Sequence, residues 1–180
     1  MTIKPGDRVP DAQFQTMTAD GKKAVSTAEL LKGRKVVLFA VPGAFTPTCS
    51  REHLPGFIAS HDAIKAKGID TIACTSVNDV HVMDAWGKAS GADGKVLMLA
   101  DGNGDFARAV GLAKDLSSAG MGLRSSRYSM IIEDGVVKAV NVEDKPGVNV
   151  SGAAAALAEI DEVCALQPSA SGPSAVLKQI

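Results

Sequence analysis

Lys35-Val-Val-Leu-Phe-Ala-Val41 is apolar on both sides of any extended backbone and shows no period-two alternation. A strand of that kind needs cover on both faces, which a sheet sandwiched between helices supplies. The pattern recurs in Thr71-Ile-Ala-Cys-Thr-Ser-Val77 and in Lys95-Val-Leu-Met-Leu-Ala100. Between these runs the spacing turns helical: Leu54, Phe57, Ile58 and His61 follow i, i+3, i+4, i+7, as do Val82, Ala85, Trp86 and Ala89. Asn78 or Asp79 caps the second of these helices and Gly91 ends it. Ser26-Thr-Ala-Glu29 is a capping box for a short helix that Gly33 stops. Asp105 caps another through Phe106, Ala109 and Val110, and Ser151 caps an alanine-rich helix over residues 153–160. Weak alternation in residues 12–16 predicts an edge strand. Two further runs, residues 128–133 and 136–142, flank Asp134-Gly135, a strong hairpin signal. These elements predict an α/β fold, a central mixed β-sheet flanked by helices.

The chain has 180 residues, the size of one domain. A composition change near Gln167, where Gln-Pro-Ser-Ala-Ser-Gly-Pro-Ser begins, divides it into a domain over residues 1–162 and a partly flexible C-terminal extension over 163–180. Lys and Arg total 19 against 20 Asp and Glu, so no basic footprint for nucleic acid exists. One Trp, one Tyr and five Phe are too few for a base-stacking platform. The longest apolar run is far short of a membrane span, so no membrane partner is expected. The N-terminal residues lack the apolar stretch of a secretory signal, and three cysteines is an odd number. A reducing compartment and a cytoplasmic location are therefore expected.

Several motifs fail on inspection. Asp101-Gly-Asn-Gly-Asp105 starts like a calcium loop, but Phe106 occupies the place of the sharp-turn glycine and Leu112 that of the bidentate glutamate; it is a turn and helix cap. Gly120-Met-Gly122 does not complete a dinucleotide fingerprint. His53, His61 and His81 do not combine with the cysteines at zinc-site spacing, so surface or packing roles are expected of them. Cys49 and His53, four apart, can share a helix face but do not make a metal site. The informative segment is residues 42–56, directly after the first buried strand, where open α/β sheets place their ligands. Cys49 falls where the next helix begins, and the free N–H groups and dipole there favour an anionic sulfur. Thr46 and Thr48 add hydroxyls, Pro42 and Pro47 stiffen the approach, and Pro55 predicts a kink near the helix start.

Pro42-Gly-Ala-Phe-Thr-Pro-Thr-Cys-Ser50 resembles the peroxidatic loop of the peroxiredoxins, specifically the peroxiredoxin-5 or type II group. Arg51-Glu-His-Leu-Pro-Gly-Phe57, Ser76-Val-Asn-Asp79, Val82-Met-Asp-Ala-Trp86, Arg127-Tyr-Ser-Met130 and Glu133-Asp-Gly135 are similar to that group as well, and the likeness spans residues 3–161. The resemblance implies a thioredoxin-like fold and an antioxidant activity, the reduction of hydrogen peroxide and organic hydroperoxides by a cysteine that cycles through sulfenic acid. It implies no metal or organic cofactor, and a homodimer packed through edges near the active-site loop. By position, Cys49 is the peroxidatic cysteine and Thr46 the hydroxyl that bonds the peroxide. Arg127 polarises the peroxide and stabilises the thiolate, and Pro42 shields the thiolate from solvent.

Regeneration of the cysteine is the point of departure. Animal members carry a resolving cysteine shortly after a segment like Asn141-Val-Glu143, and here Ser151 stands at about that place. Cys74 matches the second cysteine of plant type II members, and Cys164 lies outside the resemblance; both are candidate resolving cysteines. Cys74 is expected inside a buried strand, and Cys164 past the last helical turn and exposed. A one-cysteine cycle served by glutathione and glutaredoxin, or by thioredoxin, is therefore expected. The rival activity, a thioredoxin-like disulfide reductase, lacks its Cys-x-x-Cys: position 46 is Thr46. A redox-inactive binding module would leave the Cys49 loop without a purpose.

Overall fold

The computed structural model describes residues 1–166. The elements in chain order are β1 (Gln13–Thr18), β2 (Gly21–Ser26), α1 (Thr27–Leu31), β3 (Lys35–Ala40), a π-helical turn (Cys49–His53), α2 (Leu54–Ala59), α3 (His61–Ala66), β4 (Thr71–Ser76), α4 (Val80–Ser90), β5 (Leu97–Ala100), α5 (Asp105–Ala109), β6 (Ala113–Asp115), β7 (Leu123–Ser125), β8 (Tyr128–Glu133), β9 (Val136–Val142) and α6 (Ala153–Ala165). The main sheet runs β2-β1-β5-β4-β3-β8-β9, and β6 pairs with β7 apart from it. β3, β4 and β5 are parallel, while β8 and β9 run antiparallel beside β3. This is the thioredoxin-like α/β architecture with a central mixed sheet.

The unalternating run in β3 is explained by cover on both faces. Val37, Phe39 and Val41 face one cluster, filled by α2, α3, α4 and α6. Val36, Leu38 and Ala40 face a second, filled by α1 and α5. The hairpin forms as expected, with Asp134 and Gly135 both in the left-handed region, the signature of a type I′ turn.

Several local expectations differ. β1 is an inner strand, because β2 adds outside it; β2 buries only Val25 and carries no alternating signal. The predicted stripe through His61 breaks at Ser60, so Leu54 and Phe57 belong to α2 while Ile64 of α3 continues the apolar face. In α4 the buried face is Val80, Met83, Trp86 and Gly87, leaving Ala85 and Ala89 exposed. Asp79 caps that helix and Gly91 ends it, as expected. Asp105 lies inside α5; the carboxylate of Asp101 instead accepts from the N–H groups of Phe106 and Ala107. Ser151 does not cap α6, whose N-cap is Gly152; its hydroxyl is engaged elsewhere. α6 runs through Ala165, so Cys164 lies in its last turn rather than past it, and the helix crosses residue 162. The Pro-Ser-rich stretch at 167–174 and the tail at 175–180 lie outside the described residues. No helix of the described residues is long and apolar enough to cross a membrane.

Candidate active site

β3 delivers the chain at Ala40 to a loop, residues 41–46, that turns into the helix carrying Cys49. Gly43 makes that turn possible: a Cβ there would stand 3.0 Å from Thr46 Cγ2 and 3.2 Å from Arg124 Nη1. Three side chains fix the loop. Asn78 Oδ1 accepts from Ala44 N–H at 2.9 Å and from Ser76 Oγ at 2.6 Å. Arg124 Nη1 donates to the carbonyls of Pro42 and Val77 at 3.4 and 3.3 Å. Trp86 Nε1 donates to Ser50 Oγ at 3.0 Å, tying α4 to the turn that bears the cysteine. Phe45, at the tip, is 54% exposed and has φ of 60°, a conformation uncommon for a bulky residue.

The kink expected from Pro55 takes a particular form. Proline has no N–H for the carbonyl of Arg51, and one residue earlier the helix has already opened: Leu54 N–H reaches back five residues to the carbonyl of Cys49. The π turn starts on Cys49 itself and turns His53 inward, where it is 1% exposed.

Cys49 is fully buried. Thr46 Oγ1 lies 2.9 Å from its sulfur and 2.7 Å from the carbonyl of Gly43, so one hydroxyl proton faces two acceptors. Arg127 Nη2 donates to the sulfur at 3.0 Å. The arginine reaches it because β8 is antiparallel to β3, which sets Tyr128 beside Ala40 and the preceding residue beside the loop. Its other nitrogen, Nη1, is 2.9 Å from His53 Nδ1, and His53 Nε2 is 2.9 Å from the carbonyl of Ser151. Burial pushes the His53 pKa down to about 4, with the nearby Arg127 charge adding to the fall against opposition from the Ser151 bond and from Glu143.

Cys49, Thr46 and Arg127 are therefore brought together. Pro42 stands at the mouth of the loop with its carbonyl on Arg124. Cys74 is fully buried in β4, and burial pushes its thiol well above the ordinary range. Cys164 is exposed and lines a hollow with Lys35, Ile69, Glu133 and Ile160, at the opposite end of β3 from Cys49. Sequence reasoning assigned no site role to His53, Arg124, Asn78, Trp86, Glu143 or Ser151. The four-residue spacing of Cys49 and His53 hinted at a shared face, and His53, Asn78 and Trp86 lie in segments similar to the family pattern. Among the described residues, no group of three or more His, Cys, Asp or Glu is arranged to hold a metal ion.

A sulfur flanked by a hydroxyl and a guanidinium, at the carboxyl edge of a thioredoxin-like sheet and without a Cys-x-x-Cys neighbour, defines a thiol-based redox protein. The Redoxin family model matches residues 4–157. The chain is 52% identical over 157 residues to peroxiredoxin-2E-2, chloroplastic, of Oryza sativa subsp. japonica, covering 84% of this chain and 70% of that protein. It is 46% identical over 147 residues to peroxiredoxin-2E, chloroplastic, of Arabidopsis thaliana, covering 79% of this chain and 63% of that longer protein. The structure of reduced Prx3 from Vibrio vulnificus in complex with hydrogen peroxide superimposes with a TM-score of 0.85 at 50% identity, over 88% of this chain and 99% of that one. The chain belongs to the peroxiredoxin family, in its type II or peroxiredoxin-5 group, and is a thiol-dependent peroxidase that works through a peroxidatic cysteine. The cytoplasmic location expected above is overturned by the names of those relatives: the rice and Arabidopsis proteins are both called chloroplastic. The physical reason is that cysteine usage reports a reducing milieu, which is not peculiar to the cytoplasm.

Proposed function

We propose that Cys49 is the peroxidatic cysteine and that the enzyme turns over by a one-cysteine cycle. The observation that carries the first part is the pair of contacts to its buried sulfur, Arg127 Nη2 at 3.0 Å and Thr46 Oγ1 at 2.9 Å. The guanidinium favours the anionic sulfur, which attacks one peroxide oxygen. The O–O bond breaks, its electron pair stays on the distal oxygen, and that oxygen leaves as water or an alcohol after taking a proton. The sulfur is left as a sulfenic acid. When peroxide binds, the Thr46 proton turns from the sulfur to the Gly43 carbonyl, so that its oxygen accepts from the peroxide O–H and aligns it, while Arg127 stabilises charge moving onto the leaving oxygen. Pro42 covers the approach.

The second part rests on the other cysteines. Cys74 is held in the ladder between β3 and β5, and exposing it would break strand bonds. Cys164 lies beside Lys35, and the six residues of β3, at about 3.3 Å each, separate that end from the loop. Cys74 is pinned in the ladder with burial disfavouring its thiolate, and Cys164 is at the far end of β3, so neither is placed to attack a sulfenic acid on Cys49. An external thiol therefore attacks it, with glutathione and glutaredoxin, or thioredoxin, as the reductant class. Exposed Phe45 and Leu123, beside the loop, support a homodimer packed through that edge.

The test is intact-mass analysis after one equivalent of peroxide without added thiol. A gain of one oxygen mapping to Cys49 is expected. Prompt loss of two hydrogens, with a bridge from Cys49 to Cys74 or Cys164, would overturn the one-cysteine cycle.

A further inference from the structure

Ser151 is fully buried, and the chemistry above gives it nothing to do. Its N–H and its hydroxyl both donate to Glu143 Oε1 at 2.9 Å, and Asn149 N–H donates to the same oxygen at 2.6 Å. One carboxylate oxygen thus gathers the whole 143–151 loop. Burial opposes the charge on Glu143, but these bonds outweigh it and hold the carboxyl below its ordinary value. The carbonyl of Ser151, fixed in this way, faces His53 Nε2 at 2.9 Å. Glu143 also donates its own N–H to the carbonyl of Arg127 at 2.9 Å, which closes the circuit on the arginine.

The protonation of His53 follows from its neighbours. A guanidinium carries only donors, so Nδ1 meets Arg127 with its lone pair. The ring proton then sits on Nε2, donated to the Ser151 carbonyl. Phe39 and Phe57 flank the ring, with centroids 4.9 and 5.7 Å away, and fix its plane.

We propose that Glu143 and Ser151 are positioning residues for peroxide reduction: through the Ser151 carbonyl they hold His53 in its Nε2–H tautomer, so that Nδ1 fixes the Arg127 guanidinium against the Cys49 sulfur. The proposal rests on the assignment of Cys49 and Arg127 made above. One nitrogen of the planar guanidinium is anchored on a neutral acceptor, so the other is aimed at the sulfur without a competing charge. The hydroxyl of Ser151 serves the loop that holds this acceptor, which gives the residue a function other than resolving a sulfenic acid.

The test uses the two amide replacements of histidine, because they divide its contacts. An asparagine side chain presents its oxygen near the place of Nδ1, and a glutamine side chain presents its amide near that of Nε2. His53→Asn keeps an acceptor for Arg127, whereas His53→Gln keeps only the bond to Ser151. The measurement is the second-order rate constant for oxidation of the reduced protein by hydrogen peroxide, with mass mapping of the oxidised cysteine and a melting curve for each variant. His53→Gln and Glu143→Ala are expected to lower the rate constant by roughly ten- to a hundredfold, the scale of a misplaced catalytic group. Glu143→Gln, which keeps the acceptor that gathers the loop, should stay within about threefold of wild type, less than half of the free energy of a tenfold change. His53→Asn, which keeps the acceptor for Arg127 but loses the tie to Ser151, should fall between His53→Gln and wild type. Equal rate constants for the two His53 variants, or a wild-type rate for Glu143→Ala, would overturn the proposal. If Glu143→Ala fails to fold, Ser151→Ala, which removes the hydroxyl donor to Glu143, takes its place: a lowered rate constant is expected, and a wild-type one would overturn the proposal. Oxidation mapping away from Cys49 in the wild-type protein would instead overturn the cysteine assignment, so the two failures are distinct.

Discussion

Cys49 and Cys74 are both fully buried and belong to the same hydrophobic cluster, yet their sulfurs meet opposite surroundings. Cys74 lies mid-strand, paired with Phe39 of β3 on one side and Met98 of β5 on the other. Burial pushes its thiol up, Cys49 close by adds to the rise, and Arg127 offsets only part of it. Cys49 lies where the chain has left the sheet, and two donors converge on its sulfur within 3.0 Å. Burial makes a bare thiolate costly at both places. What separates them is whether donors are already in place, and a strand end can gather donors from a loop, a helix and the next strand. Mid-strand, the backbone groups are committed to the ladder and the flanking side chains are apolar.

The sharpest way to break this contrast is Cys49→Ser, whose hydroxyl stays protonated at neutral pH. Peroxide consumption with a thiol reductant should vanish while the fold persists by circular dichroism. Retention of a tenth of wild-type turnover, about 1.4 kcal/mol in barrier terms, would reject Cys49 as the nucleophile. Next in size is Arg127→Ala, which removes a donor from the reacting sulfur and should cost on the order of a hundred- to a thousandfold in the rate constant for peroxide. Lysine at the same position should restore only part, because an ammonium cannot bond the sulfur and His53 in one plane. Full activity in either variant would mean that the helix start and Thr46 suffice.

A third effect is read in stability against pH. The unfolded chain protonates His53 near 6.5, and the folded protein only near 4. Between those values the unfolded state binds more protons, so stability falls as pH drops through that window, by roughly 3 kcal/mol for this group. Urea midpoints at pH 7 and pH 4.5 should show a smaller fall in His53→Asn than in wild type; equal slopes would place the titration elsewhere. The smallest change concerns the other cysteine. Cys74→Ser buries a hydroxyl in an apolar strand and should cost about 1 kcal/mol of stability, seen as a lower melting temperature, while peroxidase activity stays near wild type. A large activity loss without unfolding would give Cys74 a part in turnover.

The sheet was legible because strands covered on both faces leave short apolar runs without alternation, rich in β-branched residues. The runs at 35–41 and 71–77 have no polar face to alternate with, and β3 and β4 formed there. β2 escaped because an edge strand such as Gly21–Ser26, which buries only Val25, carries no period. The stripe chosen for α4 was shifted because alanine fits either face of a helix; Met83 and Gly87 faced the core instead. Asp105 was a sound cap in isolation, but the folded loop let Asp101 reach two N–H groups with its two oxygens.

For the proposed site, the sequence by itself pointed to Cys49, at the start of a helix in a loop whose Pro, Gly and Thr content has no use in a core, and the likeness of that loop to the family pattern singled out Thr46 and Pro42. It also marked Arg127, through the likeness of residues 127–130 to the family pattern. Only the tertiary structure decided what holds that arginine in place. His53, Ser151 and Glu143 are separated from it by 74, 24 and 16 positions, and no local period links them. They meet because β8 lies antiparallel to β3 and the 143–151 loop folds back over the π turn. Hydrogen bonds among residues distant in sequence depend on strand order and register, and these are properties of the packed sheet rather than of any one segment.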